Sequence, residues 1–234
     1  FADAKTVTVK GLPAGLKYSA STQTITGTPT KTGTFDVVIS ADGVTQTVTI
    51  TVEVLPAWAQ GVFNGYVDGG GLATMSVTSA GKATGKISFD GANYAFGAAS
   101  YAAGGNASNG FSVTADAKAG KAVLPLALKV SLATNAFSQV LGIAKGTLGD
   151  GLTAVMYRNV WKDSGMAAFA ANYKGYYTAT FPGSNEYGSG YLTFTVDNAG
   201  GVKTAGKLAD GTAVSLSGTL IMDATGGVFA VAYA

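Results

Sequence analysis

An alternation of apolar and polar residues with a period of two recurs along the chain, and it limits the fold more than any other feature. Residues 47–54 read TVTITVEV, so Val and Ile fall on one face while Thr and Glu fall on the other. Successive side chains of a β-strand point to opposite faces, so this segment is predicted to be a half-buried strand. The same period predicts strands around Phe35, Val37 and Ile39, around Met75 and Val77, around Ile87 and Phe89, and around Leu192, Phe194 and Val196.

The longest alternation lies in the middle of the chain. Its apolar face consists of Leu124, Leu126, Leu128, Val130 and Leu132. Pro125 lies on the opposite face and has no N–H to donate to a ladder, which predicts an edge or bulge position for this strand.

Short turn signals separate the predicted strands. They are Asp42-Gly43, Asp68-Gly69, Asp90-Gly91, Asn109-Gly110, Asp150-Gly151 and Asp210-Gly211. Such dipeptides tolerate the positive φ angles of tight hairpins, and hairpins produce antiparallel sheets. The fold class is therefore predicted to be all-β, and the best candidate for a short helix is Met166 to Tyr173.

Composition excludes several classes of chemistry. The 234 residues include no Cys and no His, which removes disulfides, thiolate catalysis and the commonest zinc ligands. The net charge of +2 comes from scattered lysines and the single Arg158, a pattern that does not favour a nucleic-acid partner. Five of the 13 carboxylates precede Gly in predicted turns, and Asp197-Asn198 lacks the spacing of a calcium loop. We expect no metal, no cofactor and no enzymatic activity.

A change in composition at LPAWAQG, residues 55–61, predicts a domain boundary. We predict a first domain over 1–55, a linker over 56–60 and a Gly-rich antiparallel β domain over 61–234. Residues 61–97 resemble residues 175–218, since each segment has a Gly-aromatic strand, an alternating strand, a Gly-Lys-Ile or Gly-Lys-Leu step and an Asp-Gly turn. This echo predicts two related meander units that form a barrel or a sandwich.

The first domain carries a recognisable motif in GLPAGLKYSASTQTITGTPTKTGTF, residues 11–35. It resembles the "putative Ig" or cadherin-like module of large bacterial surface proteins. The matching residues are Gly11, Leu12, Pro13, Gly15, Leu16, Ile25, Gly27, Thr28, Pro29, Gly33 and Phe35. The chain departs from the pattern at Thr22-Gln23-Thr24, where the module has Thr-Gly before the isoleucine. The resemblance implies a small Ig-like β-sandwich.

The larger domain resembles Gly-rich β repeats found beside such modules in secreted proteins of Verrucomicrobia-like bacteria. The resemblance depends on Leu192 to Val196, Gly81 to Gly85, Gly206 to Leu208, Leu208 to Thr212, and Tyr157 to Asn159. It implies an extracellular or cell-surface setting and brings no catalytic residues.

Aromatic residues are enriched between Tyr157 and Tyr191. Exposed Tyr and Trp rings stack on sugars and anchor interfaces, so this enrichment predicts a ligand-binding face, with a glycan as the ligand. The candidate residues are Tyr157, Trp161, Tyr173, Tyr176 and Tyr187. The alternative is that the same rings fill a core.

These features favour a non-enzymatic structural or adhesive segment of a bacterial surface protein, such as a component of an S-layer, stalk, filament or adhesin. The alternatives are a carbohydrate-binding module and an outer-membrane β-barrel. An Ig-like sandwich needs about seven strands, and fewer are predicted before Leu55. We therefore expect an open edge or an exposed apolar face there, completed by upstream sequence or by neighbouring copies through strand pairing.

Overall fold

A computed structural model describes residues 4, 6–102, 104–183 and 188–231. The chain divides into two compact units, residues 1–55 and 56–234. The fold is all-β, with an Ig-like first unit and a closed barrel in the second. The only α-helix among the described residues, α1, spans Ala167–Ala171, which confirms the short helix predicted near Met166.

The first unit contains five strands in two sheets. They are β1 (Val7–Lys10), β2 (Leu16–Ser19), β3 (Thr24–Gly27), β4 (Gly33–Ala41) and β5 (Val44–Val52). The three-stranded sheet has the order β1-β4-β5, and β2 pairs with β3 in a separate hairpin. Val37 and Ala41 are buried, whereas Val48 is 41% exposed.

The turn between β2 and β3 contains Gln23, which departs from the Ig-like motif. Gln23 has a φ of 51°, in the left-handed region that glycine adopts without strain and that other residues rarely adopt. The hairpin nevertheless forms, with Ser19 opposite Thr24 and Leu16 opposite Gly27.

The second unit begins with a closed barrel of eight antiparallel strands. They are β6 (Gly61–Val67), β7 (Gly71–Val77), β8 (Lys82–Phe89), β9 (Ala92–Ser100), β10 (Phe111–Ala119), β11 (Ala122–Thr134), β12 (Val140–Leu148) and β13 (Leu152–Arg158). Each strand pairs with the next along the chain. The last strand returns to the first, with Ala154 opposite Val67 and Arg158 opposite Phe63. Closure leaves no free edge in this sheet.

The barrel interior is filled by side chains from the inward-facing positions. The largest that are fully buried are Phe63, Met75, Ile87, Leu148 and Met156. Leu126, Leu128 and Val130 of β11 are buried as their alternation predicts, but Leu132 is 49% exposed near the end of the long strand.

The prediction that Pro125 marks an edge strand is wrong. β11 lies between β10 and β12 in the closed wall. Pro125 is tolerated because it precedes the first residue of β11 that pairs with β12, which is Leu126 opposite Leu148. Its carbonyl accepts a hydrogen bond from Gly149 just beyond the ladder, and this is where a missing N–H costs little.

Glycine is required where neighbouring strands of the wall approach closely. A Cβ on Gly65 would overlap the carbonyl oxygen of Val155 in β13, and a Cβ on Gly146 would overlap that of Ala127 in β11. These contacts explain part of the high glycine content of the Gly-rich domain.

A second, open sheet follows the barrel. After α1 come β14 (Gly175–Phe181), β15 (Gly190–Val196), β16 (Gly201–Lys207), β17 (Ala213–Met222) and β18 (Val228–Val231). Their order is β14-β15-β16-β17-β18, and every pairing is antiparallel. We call this five-stranded meander the C-terminal sheet.

Candidate functional site

The turn over residues 159–163 follows the last barrel strand and positions Trp161. Arg158 donates from Nη2 to Oδ1 of Asp163 at 3.0 Å and from Nε to the carbonyl of Gln60 at 2.8 Å. A second guanidinium nitrogen, Nη1, pairs with the other carboxylate oxygen of Asp163. This two-pronged ion pair fixes the segment 159–163 against the start of β6.

Trp161 is held in this turn as an internal anchor. Its backbone N–H donates to Oδ1 of Asn159 at 3.1 Å, and its indole Nε1 donates to the carbonyl of Leu220 in β17 at 2.7 Å. The side chain is buried, and a Cβ on Gly200 would collide with its ring. Trp161 therefore joins the turn after the barrel to the C-terminal sheet.

Helix α1 supplies further rings around Trp161. Phe169 stacks on Trp161 at 6.1 Å between ring centroids, and Tyr173 meets Trp161 edge-on at 5.8 Å. Phe137 adds an edge contact to Phe169 at 5.2 Å. We call Phe137, Trp161, Phe169 and Tyr173 the Trp161 cluster. It packs on Val196 and Val202 of the C-terminal sheet.

Tyr157 lies elsewhere, on the outer wall of the barrel. Its ring meets Phe229 of β18 edge-on at 6.4 Å, and Tyr66 of β6 contacts the same ring at 6.5 Å. Burial raises the pKa of the Tyr157 hydroxyl, and the neighbouring Tyr66 and Asp223 raise it further. This second contact fastens the outer face of the C-terminal sheet to the barrel.

Among the candidates that lie in the described residues, Tyr176 is the most open to solvent, at 68% exposed. It lies in β14 opposite Thr195, and Tyr191 of β15 lies opposite Thr180 on the same face of the sheet. Tyr191 is 44% exposed, and the motif analysis did not include it among the candidates. Tyr187 falls outside the described residues.

The structure thus brings together Trp161 and Tyr173 but separates them from Tyr157 and from Tyr176. The binding role of all five stays a prediction. Arg158, Asn159 and Asp163 hold the cluster in place. The sequence motif at Tyr157 to Asn159 includes the first two but assigned them no role, and Asp163 was not a candidate. One signal could have found them, because Arg158 is the only arginine in the chain and lies just before Trp161.

Two acidic side chains in loops of the C-terminal sheet accept hydrogen bonds within their own turns. Oδ1 of Asp197 accepts from the N–H groups of Ala199 at 2.7 Å and Gly201 at 2.8 Å. Oδ1 of Asp223 accepts from the N–H groups of Thr225 and Gly227, each at 2.8 Å. Burial opposes ionisation of Asp223, but these hydrogen bonds outweigh it and lower the pKa of the carboxyl.

Residues 4, 6–102, 104–183 and 188–231 contain no group of three or more His, Cys, Asp or Glu arranged around a metal position. The same residues contain no helix long and apolar enough to cross a membrane. Two shallow surface depressions lie on the barrel wall, one around Thr114, Asp116 and Thr147, the other around Thr74, Ser76 and Lys86.

Comparison with known proteins characterises the first unit. Residues 2–55 match the family model described as "Putative Ig domain". This match supports the Ig-like resemblance of the GLPAGL motif. No curated protein and no solved structure matches the chain.

Proposed function

We propose that the chain is a non-enzymatic structural or adhesive segment of a bacterial cell-surface or extracellular protein. The observation that carries the proposal is the solid interior of the barrel. Phe63, Met75, Ile87, Leu148 and Met156 occupy the space that a ligand chamber would need. The Ig-like match of residues 2–55 supports the surface setting, since such modules are compatible with structural and adhesive roles.

The distribution of polarity weighs against the outer-membrane alternative. Transmembrane barrels present an apolar band outward and a polar lumen inward. Here the inward positions are apolar, while Lys86, Lys118, Lys129 and Lys145 point outward from the strands and are exposed.

Surface accessibility tests this proposal. Intact cells that produce the protein would be stained with an antibody against the barrel, and lysed cells would serve as the reference. We expect intact cells to give most of the signal of lysed cells, with an antibody to a cytoplasmic protein as the control. Staining that appears only after lysis would contradict the proposal.

A second candidate is glycan binding, which the exposure of Tyr176 and Tyr191 on one face of the C-terminal sheet favours. Two tyrosine rings on one β surface can stack on successive sugars. A glycan array would compare the chain with Tyr176→Ala, because Trp161 is buried and its replacement would disturb packing as well. We expect any specific hits to disappear with Tyr176→Ala and to survive Lys129→Ala, which changes an exposed side chain on the outer wall of the barrel. Hits that survive Tyr176→Ala would remove this face as the site.

A further inference from the structure

The C-terminal sheet has the pairing pattern of the first strands of the barrel. In the first hairpins, Gly61 pairs with Val77 and Val67 with Gly71, while Gly175 pairs with Val196 and Phe181 with Gly190. Both ladders therefore run over the whole of two seven-residue strands. Only the connecting loop differs, being longer between β14 and β15.

The correspondence continues through the next hairpins. β7 pairs with β8 from Leu72–Ser88 to Val77–Ala83, and β15 pairs with β16 from Tyr191–Lys207 to Val196–Val202. β17 and β18 then take the places of β9 and β10. Gly110 precedes β10 and Gly227 precedes β18, and both strands continue the same meander.

Each region also begins with a short helical segment, and in each a tyrosine hydroxyl donates to a carbonyl just before the first strand, although Tyr101 follows β9 and Tyr177 lies within β14. The barrel is preceded by a 3₁₀ turn, Ala57–Ala59, and the C-terminal sheet by α1. The Tyr101 hydroxyl donates to the carbonyl of Ala59 at 2.6 Å, and the Tyr177 hydroxyl donates to that of Tyr173 at 2.7 Å. Ala59 and Tyr173 each lie two residues before the glycine that starts the first strand.

The two regions differ after the fifth strand. In the barrel, β11, β12 and β13 bridge from β10 back to β6. Within the described residues, the outer edges of β14 and β18 have no strand partner. Unpaired N–H and C=O groups along such edges are templates for further strands.

The inward face of the C-terminal sheet is only partly covered. Val196 and Val202 lie under the Trp161 cluster and are 6% and 4% exposed. Phe181 is 42% exposed, whereas Val67, which holds the matching position in β6, is 2% exposed. Tyr177 is 45% exposed, whereas its counterpart Phe63 is fully buried. The inward face is therefore covered at Val196 and Val202 but remains partly exposed at Phe181 and Tyr177.

We propose that the two edges and the open inward face of the C-terminal sheet form a docking site for a three-stranded antiparallel β-segment from outside these 234 residues. The segment has the pattern of β11–β13, pairs its first strand with β18 and its last with β14, and completes a second eight-stranded barrel. An odd number of strands is required, because β14 and β18 run in the same direction and a closed antiparallel barrel has an even count. Three strands restore the eight whose diameter suits inward side chains as large as Phe181, Phe194 and Tyr177.

The chemistry of the segment follows from β11–β13. One face carries apolar side chains at alternate positions, as Leu126, Leu128 and Val130 do in the barrel. The other face is polar, with positions such as Lys129 and Lys145 open to water. A lone apolar peptide would satisfy one edge of the C-terminal sheet at most.

The test appends a copy of residues 118–161 to the C-terminus of the full chain, since VFAVAYA at 228–234 aligns with FSVTADA at 111–117. Hydrogen exchange would be followed at β14 and β18, with β15 and β16 as internal references, together with fluorescence of a dye that binds apolar surfaces. We expect the parent chain to be a monomer that binds the dye and exchanges its β14 amides at least about tenfold faster than its β15 amides. The extension should lower dye binding and remove most of the difference in exchange.

A matched control carries Leu128→Asp and Val130→Asp in the appended copy only, which keeps the length but removes the apolar face. It should leave dye binding and exchange as in the parent chain. A parent chain whose β14 and β18 amides exchange as slowly as those of β15 would overturn the proposal. So would a dimer that protects Phe181, or an extension that folds without changing exchange at β14 and β18.

Discussion

The barrel and the C-terminal sheet apply one strand pattern in two environments. Both place apolar residues on the inward face, and their first two hairpins have the same registers. Closure of the barrel buries Phe63, Val67 and Met75 almost completely, while Phe181 and Tyr177 remain about half exposed. Alternation therefore decides which face a residue points to, whereas the number of strands decides how much that residue stabilises the fold.

The largest expected difference concerns two phenylalanines of similar orientation. Phe63→Ala empties a filled barrel interior and should lower the free energy of unfolding by about 3–5 kcal/mol. Phe181→Ala removes a ring that is 42% exposed and should cost about 1 kcal/mol or less. Denaturant unfolding of the two variants measures both values. Equal losses would show that the C-terminal sheet is as well packed as the barrel.

A second pair of variants tests the alternation inside the closed wall. Leu128 is 3% exposed and points inward, so Leu128→Ala should cost about 2–5 kcal/mol. Lys129 is the next residue and points outward, so Lys129→Ala should change the free energy of unfolding by no more than about 0.5 kcal/mol. A larger effect at Lys129 than at Leu128 would reverse the assignment of faces in β11.

Much of the strand pattern is predictable from local sequence, and the closure is not. The alternation at Leu126, Leu128 and Val130 marks a buried face because a period of two is a property of a single strand. The pairing of Arg158 with Phe63 joins residues that are distant in sequence, and no local pattern records it. The edge position predicted from Pro125 is wrong for the same reason. The end of a ladder in a closed barrel tolerates proline as well as an edge strand does.

The aromatic candidates show a similar limit. Enrichment in Tyr and Trp is visible in the sequence, but a ring that fills a core and a ring that meets solvent have the same composition signal. Trp161 and Tyr176 differ only in their tertiary partners, which leave one buried and the other 68% exposed. Phe137 lies in the turn before Val140 and contributes its ring to the Trp161 cluster.

The connection between the two regions offers a third test. Arg158→Gln removes the guanidinium that pairs with Asp163 and donates to the carbonyl of Gln60. The side chain of Arg158 is 14% exposed and that of Asp163 is 38% exposed, so screening reduces the effect to about 1–2 kcal/mol. Near-ultraviolet circular dichroism would report whether the environment of Trp161 changes at the same time. Asp163→Asn combined with Arg158→Gln should cost little more than Arg158→Gln alone, and full additivity would mean that the two side chains act independently.

Two tyrosine hydroxyls, one in the barrel and one in the C-terminal sheet, each donate to a backbone carbonyl that lies just before the first strand of its region. Tyr101→Phe removes the hydrogen bond to Ala59 in the barrel and should cost about 1 kcal/mol, whereas Tyr177→Phe in the more open sheet should cost less. Burial also raises the pKa of Tyr101 above its usual value near 10. The folded state then holds the phenolic proton more tightly than the unfolded state does. The resulting stability is fully present below about pH 10 and is lost as pH rises through the pKa of the folded state.

Unfolding between about pH 9 and pH 12 would show this loss in the parent chain, and Tyr101→Phe should flatten it. Phe181→Ala removes no titratable group, so it is the control and should leave the slope as in the parent chain. A slope that Tyr101→Phe does not change would assign alkaline destabilisation to other groups.

The smallest expected effect is that of chelation on the Asp-bearing turns of the C-terminal sheet. Asp197 and Asp223 direct one carboxylate oxygen at backbone N–H groups of their own turns. N–H groups repel a cation, and the oxygen that accepts them has its lone pairs engaged, so these turns need no calcium to hold their shape. The melting temperature of the chain should therefore be the same in EDTA and in millimolar calcium. Asp223→Asn distinguishes the role of these hydrogen bonds from that of a bound metal. The variant weakens the hydrogen bonds from Thr225 and Gly227, so it should lower the melting temperature by the same amount in both buffers. A decrease in EDTA that Asp223→Asn abolishes would instead identify this turn as a calcium site.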